Sequence, residues 1–464
     1  MVILKAILGG LVLFFSFSPF NIWPAALLSA GLLFSSLVDQ NIKIRFTASL
    51  LFGLSFFLPL LHWSSTYVGA LPWAILALGQ SLIFSLIALI SYRRDLTSAI
   101  SFAGTFTLIE ILRMKFPFGG FGWGRIGHTQ TEPFADAYRI LGITGITFFI
   151  VLVATFIVIG NIRSLLITAL TVFVLTLVPN SLKSLGEVDL VGVQGGVEKL
   201  GLDFNERAFS VLQRHIDVTK RIENQSDLII WPENSSDIDP IQNREANRLI
   251  NDLISVKNTP ILVGAVEQSS LGPINSSILF SDKGSIKSRY IKQDLAPFGE
   301  YIPLRDLAEY IAPEAKQVRN FLPGDNWVIH KVNDANILPV ICFELLDDDH
   351  IRAGVKFAEI IVNQTNNATF GRSNQAAQQL QIAQARSAEF GKETFTVSTT
   401  GFTAHINNRG EILKKLPQFK ADYLEASVMR YEGQTVASRI PSWLWIVFLT
   451  LLIGFSRLKR LSDN

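Results

Sequence analysis

ILPVICFELLDDD, residues 337–349, decides how the central part of this chain is read. An apolar run with β-branched residues reaches Cys342 and Phe343 and then turns acidic at once. Such a run, bounded by charge, reads as a buried strand. A residue at a strand end points into the loops, where sites are built. Cys342 is the only cysteine in 464 residues. That excludes an intramolecular disulfide, a CxxC redox pair and a multi-cysteine zinc site. A free cysteine is often only a small buried hydrophobe. As a thiolate it is also the best side-chain nucleophile near neutral pH, given a neighbouring base or cation.

Outward from this run, similar segments recur: VDLVGV (188–193), DLIIW (227–231), PILVGAV (260–266), SSILF (276–280), AEIIVN (358–363), TFTVST (394–399), FTAHI (402–406) and DYLEASV (422–428). Helical patterns at 204–224, 241–256 and 374–391 alternate with them. Apolar strands between helices imply a sheet covered by helices. SDKGS (281–285) and NNRG (407–410) read as hairpin turns. Residues 187–435 therefore read as a soluble α/β domain.

The base for Cys342 is not an obvious histidine. His62, His128, His215, His330, His350 and His405 lie in no Ser/His or Cys/His signature and no HExxH, and each alone reads as structural or surface. A carboxylate and a lysine become the candidates. Glu233 ends the strand of DLIIWPEN (227–234), where Pro232 stops the ladder and presents the carboxylate at a strand tip. Lys292, in SRYIKQDLAPFGEYIP (288–303), follows another β-rich run. Singly, each reads as a surface charge; together they place three reactive side chains at three strand ends.

The flanks differ in kind. Residues 1–180 are a succession of apolar runs near the ~20 residues that cross a bilayer, at about 2–20, 22–38, 44–63, 70–92, 96–113, 141–160 and 162–179. An eighth closes the chain at 441–458. The first reads as an uncleaved span rather than a signal peptide, because more spans follow at once and no clear small-x-small site does. Lys5, Lys43 with Arg45, Arg93 with Arg94, Arg163, and Arg457 with Lys459 and Arg460 fall on one side of eight spans. That side is cytoplasmic by the positive-inside rule, which puts the α/β domain outside. The aromatic and glycine-rich loop 114–140 reads as an interfacial anchor. Glu110 is costly inside a span, and Arg113 three residues on suggests a local ion pair.

Composition agrees. Apolar residues make up 49% and charged residues 17%, against about 25% charged in soluble domains, so disorder is excluded. Residues 180–440 hold 28 Lys/Arg and 33 Asp/Glu, the remainder 13 and 6. A net charge of +2 is too small to suggest nucleic acid.

WPE (231–233), KQDLAPFGE (292–300) and ICFE (341–344), in that order, resemble the nitrilase or carbon–nitrogen hydrolase superfamily with its Glu-Lys-Cys triad. PFGEYIP and the flanking spans narrow the resemblance, over essentially the whole chain, to the bacterial apolipoprotein N-acyltransferase family. The stretch 362–410 is similar to that family's strand, helix and closing hairpin. Phe343 stands where some members have Tyr, Leu202 lies near a position where some have Trp, and Asn367-Ala368-Thr369 replaces a more usual acidic and aromatic run.

The resemblance implies a polytopic α-helical membrane domain of about eight spans (1–180 and 441–458) and an extracytoplasmic nitrilase-like αββα sandwich (187–435), in a bacterial inner membrane. It implies ping-pong acyl transfer from a membrane phospholipid, through a thioester on Cys342, to the α-amine of a diacylglyceryl apolipoprotein. Glu233 is then the base and Lys292 the oxyanion stabiliser, helped by a backbone N–H near Phe343. Glu300 supports Lys292, and Glu344 acts close to Cys342. No metal or cofactor is expected. The segment 301–323, with Leu304, Leu307, Tyr310 and Ile311 at helical spacing, reads equally as a lipid-touching arm or as an ordinary packed helix. Two other readings stay open: a membrane-anchored amidase or nitrilase using water, and a transporter or receptor with an outer binding domain.

Overall fold

The structure is a computed structural model and describes residues 1–67, 69–179, 181–197, 199–201, 208–311, 316 and 319–462. Leu202, residues 312–315 and the side chains of Leu307 and Ile311 lie outside the described residues. The chain divides into two units, Met1–Asn180 with Thr435–Asn464, and Ser181–Gln434.

The first unit is helical: α1 Val2–Phe14, α2 Pro24–Leu37, α3 Ile42–Leu60, α4 Ala70–Phe84, α5 Leu96–Lys115, α6 Thr131–Ile159 and α7 Ile162–Thr176, with α13 Val436–Arg439 and α14 Ser442–Ser462. Short polar side chains start several of these helices. Asn41 accepts from the N–H of Ile44 (3.1 Å), Asp95 from Ser98 (2.7 Å) and Asn161 from Ser164 (3.0 Å), satisfying donors a helix start leaves open. Among the described residues, five helices are long and apolar enough to cross a membrane: α3, α4 with its 3₁₀ continuation to Leu89, α5, α6 and α14. Helices α1, α2 and α7 have 13, 14 and 15 residues, so each is only about 20 Å long, short of the ~30 Å hydrocarbon layer.

Two expectations for this unit are corrected. Loop 114–140 is folded inward over much of its length, with Phe116 and Phe118 left exposed. Trp123, Arg125, Ile126, His128 and Gln130 are buried, and helix α6 begins at Thr131, with Gly142 breaking its geometry where the span was expected to start. Glu110 does not pair with Arg113. Its Oε1 accepts from the Ile126 N–H (2.9 Å), its Oε2 from the Thr147 hydroxyl (2.8 Å), and Arg125 Nε stands 3.9 Å from Oε2. Arg113 instead donates to Gln80 Oε1 and the Trp123 carbonyl, both at 2.7 Å. The folded-in loop supplies a nearer cation than the helix itself does.

The second unit holds β1 Lys183–Gln194, α8 Ser210–Lys220, β2 Leu228–Ile230, α9 Arg244–Lys257, β3 Ile261–Gln268, β4 Pro273–Phe280, β5 Ile286–Ile291, α10 Arg305–Ile311, β6 His330–Val332, β7 Ala335–Ile341, α11 Asp348–Val355, β8 Ile360–Thr365, α12 Gln375–Phe390, β9 Glu393–Ser398, β10 Ala404–Ile406, β11 Ile412–Lys415 and β12 Asp422–Glu432. They form two six-stranded sheets, β12-β1-β2-β3-β4-β5 and β11-β10-β9-β8-β7-β6. Each has three parallel central strands, β1-β2-β3 and β7-β8-β9, with antiparallel flanks.

Strand alternation builds the layers. Leu190, Leu228, Ile230 and Leu262 face Ile337, Ile360, Val362, Phe395 and Val397 of the other sheet. Their neighbours Val191, Ile229, Ile261 and Val263 face Leu212 and Ile216 of α8 and Ile250 and Leu253 of α9. Both faces of these strands are covered, which is why they read as unbroken apolar runs rather than alternating ones. Helices α11 and α12 pack on the second sheet, completing a nitrilase-like α/β sandwich.

Candidate active site

Glu233, Lys292 and Cys342 follow the ends of β2, β5 and β7. The first and last are parallel strands, and ligands gather at the carboxyl ends of parallel strands. Three further polar positions, Thr365, Asn366 and Ser398, cluster at the ends of β8 and β9.

Trp231 and Pro232 set the place of Glu233. The Trp231 indole donates to Thr219 Oγ1 (2.9 Å), and Gln364 Nε2 of the facing sheet donates to the Trp231 carbonyl (2.6 Å). The turn crosses β3 so closely that a Cβ on Gly264 would lie 2.2 Å from the Pro232 carbonyl oxygen. Only glycine permits that passage. Glu233 is 5% exposed. Its Oε2 accepts from the Asn366 N–H (2.8 Å), and its Oε1 from Asn275 Nδ2 (2.8 Å) and Lys292 Nζ (3.3 Å).

Lys292 is 1% exposed. Its ammonium lies 2.9 Å and 2.8 Å from the two oxygens of Glu300. Glu300 is itself pinned, accepting from the Ala296 N–H and from Asn275 Nδ2 at 2.8 and 2.9 Å. Burial works against the Lys292 charge, but Glu300 and Glu233 outweigh it and hold the ammonium protonated well above its ordinary range. One cation thus sits between two carboxylates, with Asn275 bridging both.

Cys342 closes β7 and opens a 3₁₀ turn to Leu346. Its φ is +51°, unusual for a residue with a side chain. Burial, and then the Glu233 charge, push the thiol up to about 12, while Lys292 and the Thr365 hydroxyl pull the other way. The resting sulphur is therefore a neutral thiol, and it acts as a nucleophile once its proton is removed.

Glu344 joins two of these elements. Its Oε2 accepts from the Ile341 N–H (2.7 Å), just before the cysteine. Its Oε1 accepts from the Gln293 N–H (2.7 Å), just after the lysine, and from Tyr290 Oη (2.6 Å). Desolvation raises its pKa despite these partners. These bonds reach both the cysteine turn and the lysine loop, so Glu344 ties one to the other. His350 stands behind it, with Nδ1 2.9 Å from Asp294 Oδ2 and Nε2 3.7 Å from Glu344 Oε2. Burial opposes the imidazolium, but Glu344 and Asp294 raise its pKa. Phe343 is half-buried beside the sulphur.

Sequence reading missed Asn275, Thr365 and the partnership of His350. Asn275 left one signal, an amide beside two serines in the buried strand PINSSILF. Of the other histidines, His330 and His215 are buried and held neutral, their imidazoles lowered by burial to about 3 and about 4. His405 is tied to Glu393 at 2.6 Å. Among the described residues no group of three or more His, Cys, Asp or Glu could hold a metal ion.

Residues 204–437, about half the chain, match the carbon–nitrogen hydrolase family, which gives the class of the α/β unit. A superfamily protein from Xanthomonas campestris aligns with 52% of this chain and 90% of its own at 14% identity, with a TM-score of 0.41. Residues 9–156 match the apolipoprotein N-acyltransferase N-terminal domain. An apolipoprotein N-acyltransferase from Mycolicibacterium smegmatis is 31% identical across 97% of this chain and 83% of its own, and one from Wigglesworthia glossinidia brevipalpis is 27% identical across 98% of each. The chain belongs to the apolipoprotein N-acyltransferase family.

Proposed function

We propose that this chain N-acylates lipoproteins by a ping-pong reaction in which Cys342 is the nucleophile. Family membership carries the activity. One observation supports the residue roles: a buried ammonium held between two carboxylates, acting on the sulphur of the sole cysteine. Glu233 accepts the Cys342 proton as sulphur attacks an ester carbonyl of a membrane phospholipid. The Lys292 ammonium, with a backbone N–H near Phe343, stabilises the tetrahedral oxyanion. The C–O bond breaks, Glu233 returns the proton to the departing lyso-phospholipid oxygen, and a thioester remains.

The α-amine of a diacylglyceryl-cysteine then attacks. Glu233 takes the amine proton, the C–S bond breaks and sulphur regains its proton. Glu300 fixes Lys292, and Glu344 fixes the cysteine turn against the lysine loop. Eight spans, with the Lys/Arg-rich ends in the cytoplasm, place the α/β unit outside the bacterial inner membrane. The charge pattern supports the side, and the apolar helices support a membrane unit, three of them being shorter than a full crossing.

Mass spectrometry after incubation with phospholipid alone tests the reading. The expected result is about one lyso-lipid released per protein and an acyl mass on Cys342, discharged when a diacylglyceryl-cysteine peptide is added. Transfer depends on position, because bulk water stands at ~55 M whereas effective molarities of oriented groups reach about 10⁵ M or more. Continuous release of fatty acid without the peptide would mark a hydrolase and end the transferase reading.

A further inference from the structure

We infer that Gln379 is a catalytic residue, whose side-chain amide donates a hydrogen bond to the Cys342 sulphur and stabilises it whenever it carries negative charge. Gln379 Nε2 lies 3.7 Å from Cys342 Sγ. A chain of polar groups that starts at the Gly401 backbone N–H runs to the far end of this amide. The Gly401 N–H donates to Ser398 Oγ at 2.8 Å, and the Ser398 hydroxyl donates to Asn367 Oδ1. Asn367 Nδ2 is therefore turned toward α12, where it donates to Gln375 Oε1 (2.6 Å) and Gln379 Oε1 (2.8 Å). Gln375 Nε2 (3.4 Å) and the Thr365 hydroxyl (3.1 Å) converge on the same Gln379 oxygen. With its oxygen held by the Asn367 and Gln375 amides, Gln379 offers the sulphur its N–H.

The chain lies out of water: Thr365, Asn367, Gln375, Gln379 and Ser398 are each at most 5% exposed. Hydrogen bonds in such a setting polarise one another, and solvent does not replace them. Gly401 is required, because a Cβ there would stand 2.2 Å from Asn367 Oδ1 and 2.7 Å from Ser398 Oγ.

The role rests on the cysteine-nucleophile reading above and adds a second source of stabilisation to it. Charge reaches the sulphur twice. It does so when Glu233 takes the thiol proton as the S–C bond forms. It does so again when the amine bonds to the thioester carbon, the C–S bond breaks and the electron pair returns to sulphur. The charged groups facing the sulphur are Glu233 and Glu300, which oppose a thiolate, and Lys292, which favours it. Two against one leaves a deficit. A neutral donor makes it up without drawing Lys292 from its carboxylates.

The test uses the single cysteine. Whole protein in membranes is treated with iodoacetamide from about pH 8 to about pH 11, and the label is read by intact mass. Gln379→Met, nearly equal in volume, should move the labelling curve up by about one pH unit. On the rising limb that is about tenfold less label at fixed pH. Gln379→Glu should move it further, and Gly401→Ala should move it less in the same direction. Acylation of Cys342 by phospholipid should fall in the same order. Wild-type labelling curves for Gln379→Met and Gly401→Ala would overturn the inference, as would a lowered melting temperature without a shifted curve. Failure of the cysteine-nucleophile reading shows elsewhere, as acyl transfer retained in Cys342→Ala.

Discussion

Glu110 in the helical unit and Glu233 in the α/β unit are both buried carboxylates with a cation beside them, yet their surroundings differ. Glu110 has Arg125 at 3.9 Å and the charge of Arg113 farther off, and its oxygens take a backbone N–H and a threonine hydroxyl. The surplus there is positive, and Arg113 and Arg125 are both buried in full. Around Glu233, two carboxylates share one ammonium, and the surplus negative charge bears on a cysteine in a left-handed turn that is partly exposed. A buried charge therefore does not by itself mark a site. What distinguishes the second cluster is a surplus of negative charge, a strained backbone and a route to solvent, all at one nucleophile.

The largest effect should come from the cluster around Glu233. Cys342→Ala should abolish acyl transfer to a diacylglyceryl-cysteine peptide while expression and membrane insertion persist. Glu233→Gln and Lys292→Met should each slow the first acylation by about 10²–10⁴, the range for a lost general base or a lost oxyanion partner. Acyl transfer at the wild-type rate in any of the three would remove the contrast between the clusters.

The cluster around Glu110 should respond in stability instead. Arg125→Met leaves Glu110 buried with no cation within 4 Å and should cost about 3–5 kcal/mol, read as unfolding in detergent. Acyl transfer per folded molecule should be unchanged. The double variant Glu110→Gln, Arg125→Met should recover most of the loss, since removing both charges of a buried pair is often neutral. A strong fall in turnover per folded molecule would mean that the helical cluster also serves the chemistry.

A smaller effect is expected at Glu300. Glu300→Gln keeps an oxygen for the Ala296 N–H but removes one of the two charges on Lys292. Turnover should fall about tenfold, far less than for Glu233→Gln. Equal losses in steady-state kinetics would make the two carboxylates interchangeable.

The smallest is a pH effect at His350. Its imidazole is raised above the ordinary value by Glu344 and Asp294. The stabilisation from its charge is therefore complete below the ordinary imidazole range. It is lost as pH rises through the higher folded-state value. The unfolding midpoint of the wild type should decline across that window, and His350→Gln should flatten the decline.

Strand ends were readable in the sequence because an apolar run that stops abruptly at charge is seldom anything but a buried strand leaving its sheet. WPE, the ICFE turn and the lysine after β5 all lie where that pattern stops. A sheet covered by helices was legible for the same reason, since strands covered on both faces lose their alternation, whereas the second sheet came only with the family resemblance. The folded-in loop 121–130 was not legible, because an arginine inside a glycine- and aromatic-rich stretch looks alike at an interface or paired in a core. Asn275 and Gln379 were hidden differently. Neutral amides carry no charge pattern, and their role depends on which atoms meet across sheets far apart in sequence. The 3₁₀ turn at Cys342 also went unseen, because the expected strand ran through Phe343 whereas the ladder stops at Ile341.

Strand β1 pairs along its length with β12, from Lys183 opposite Glu432 to Gln194 opposite Asp422. The first strand of the α/β unit thus waits for the last. At about 5–20 residues per second of synthesis, one edge of β1 stays open for some tens of seconds while the intervening chain emerges. An open edge is a template for wrong pairing. Lys183 and Glu187, charged and exposed near the start of this strand, are residues of the kind that blunt an open edge.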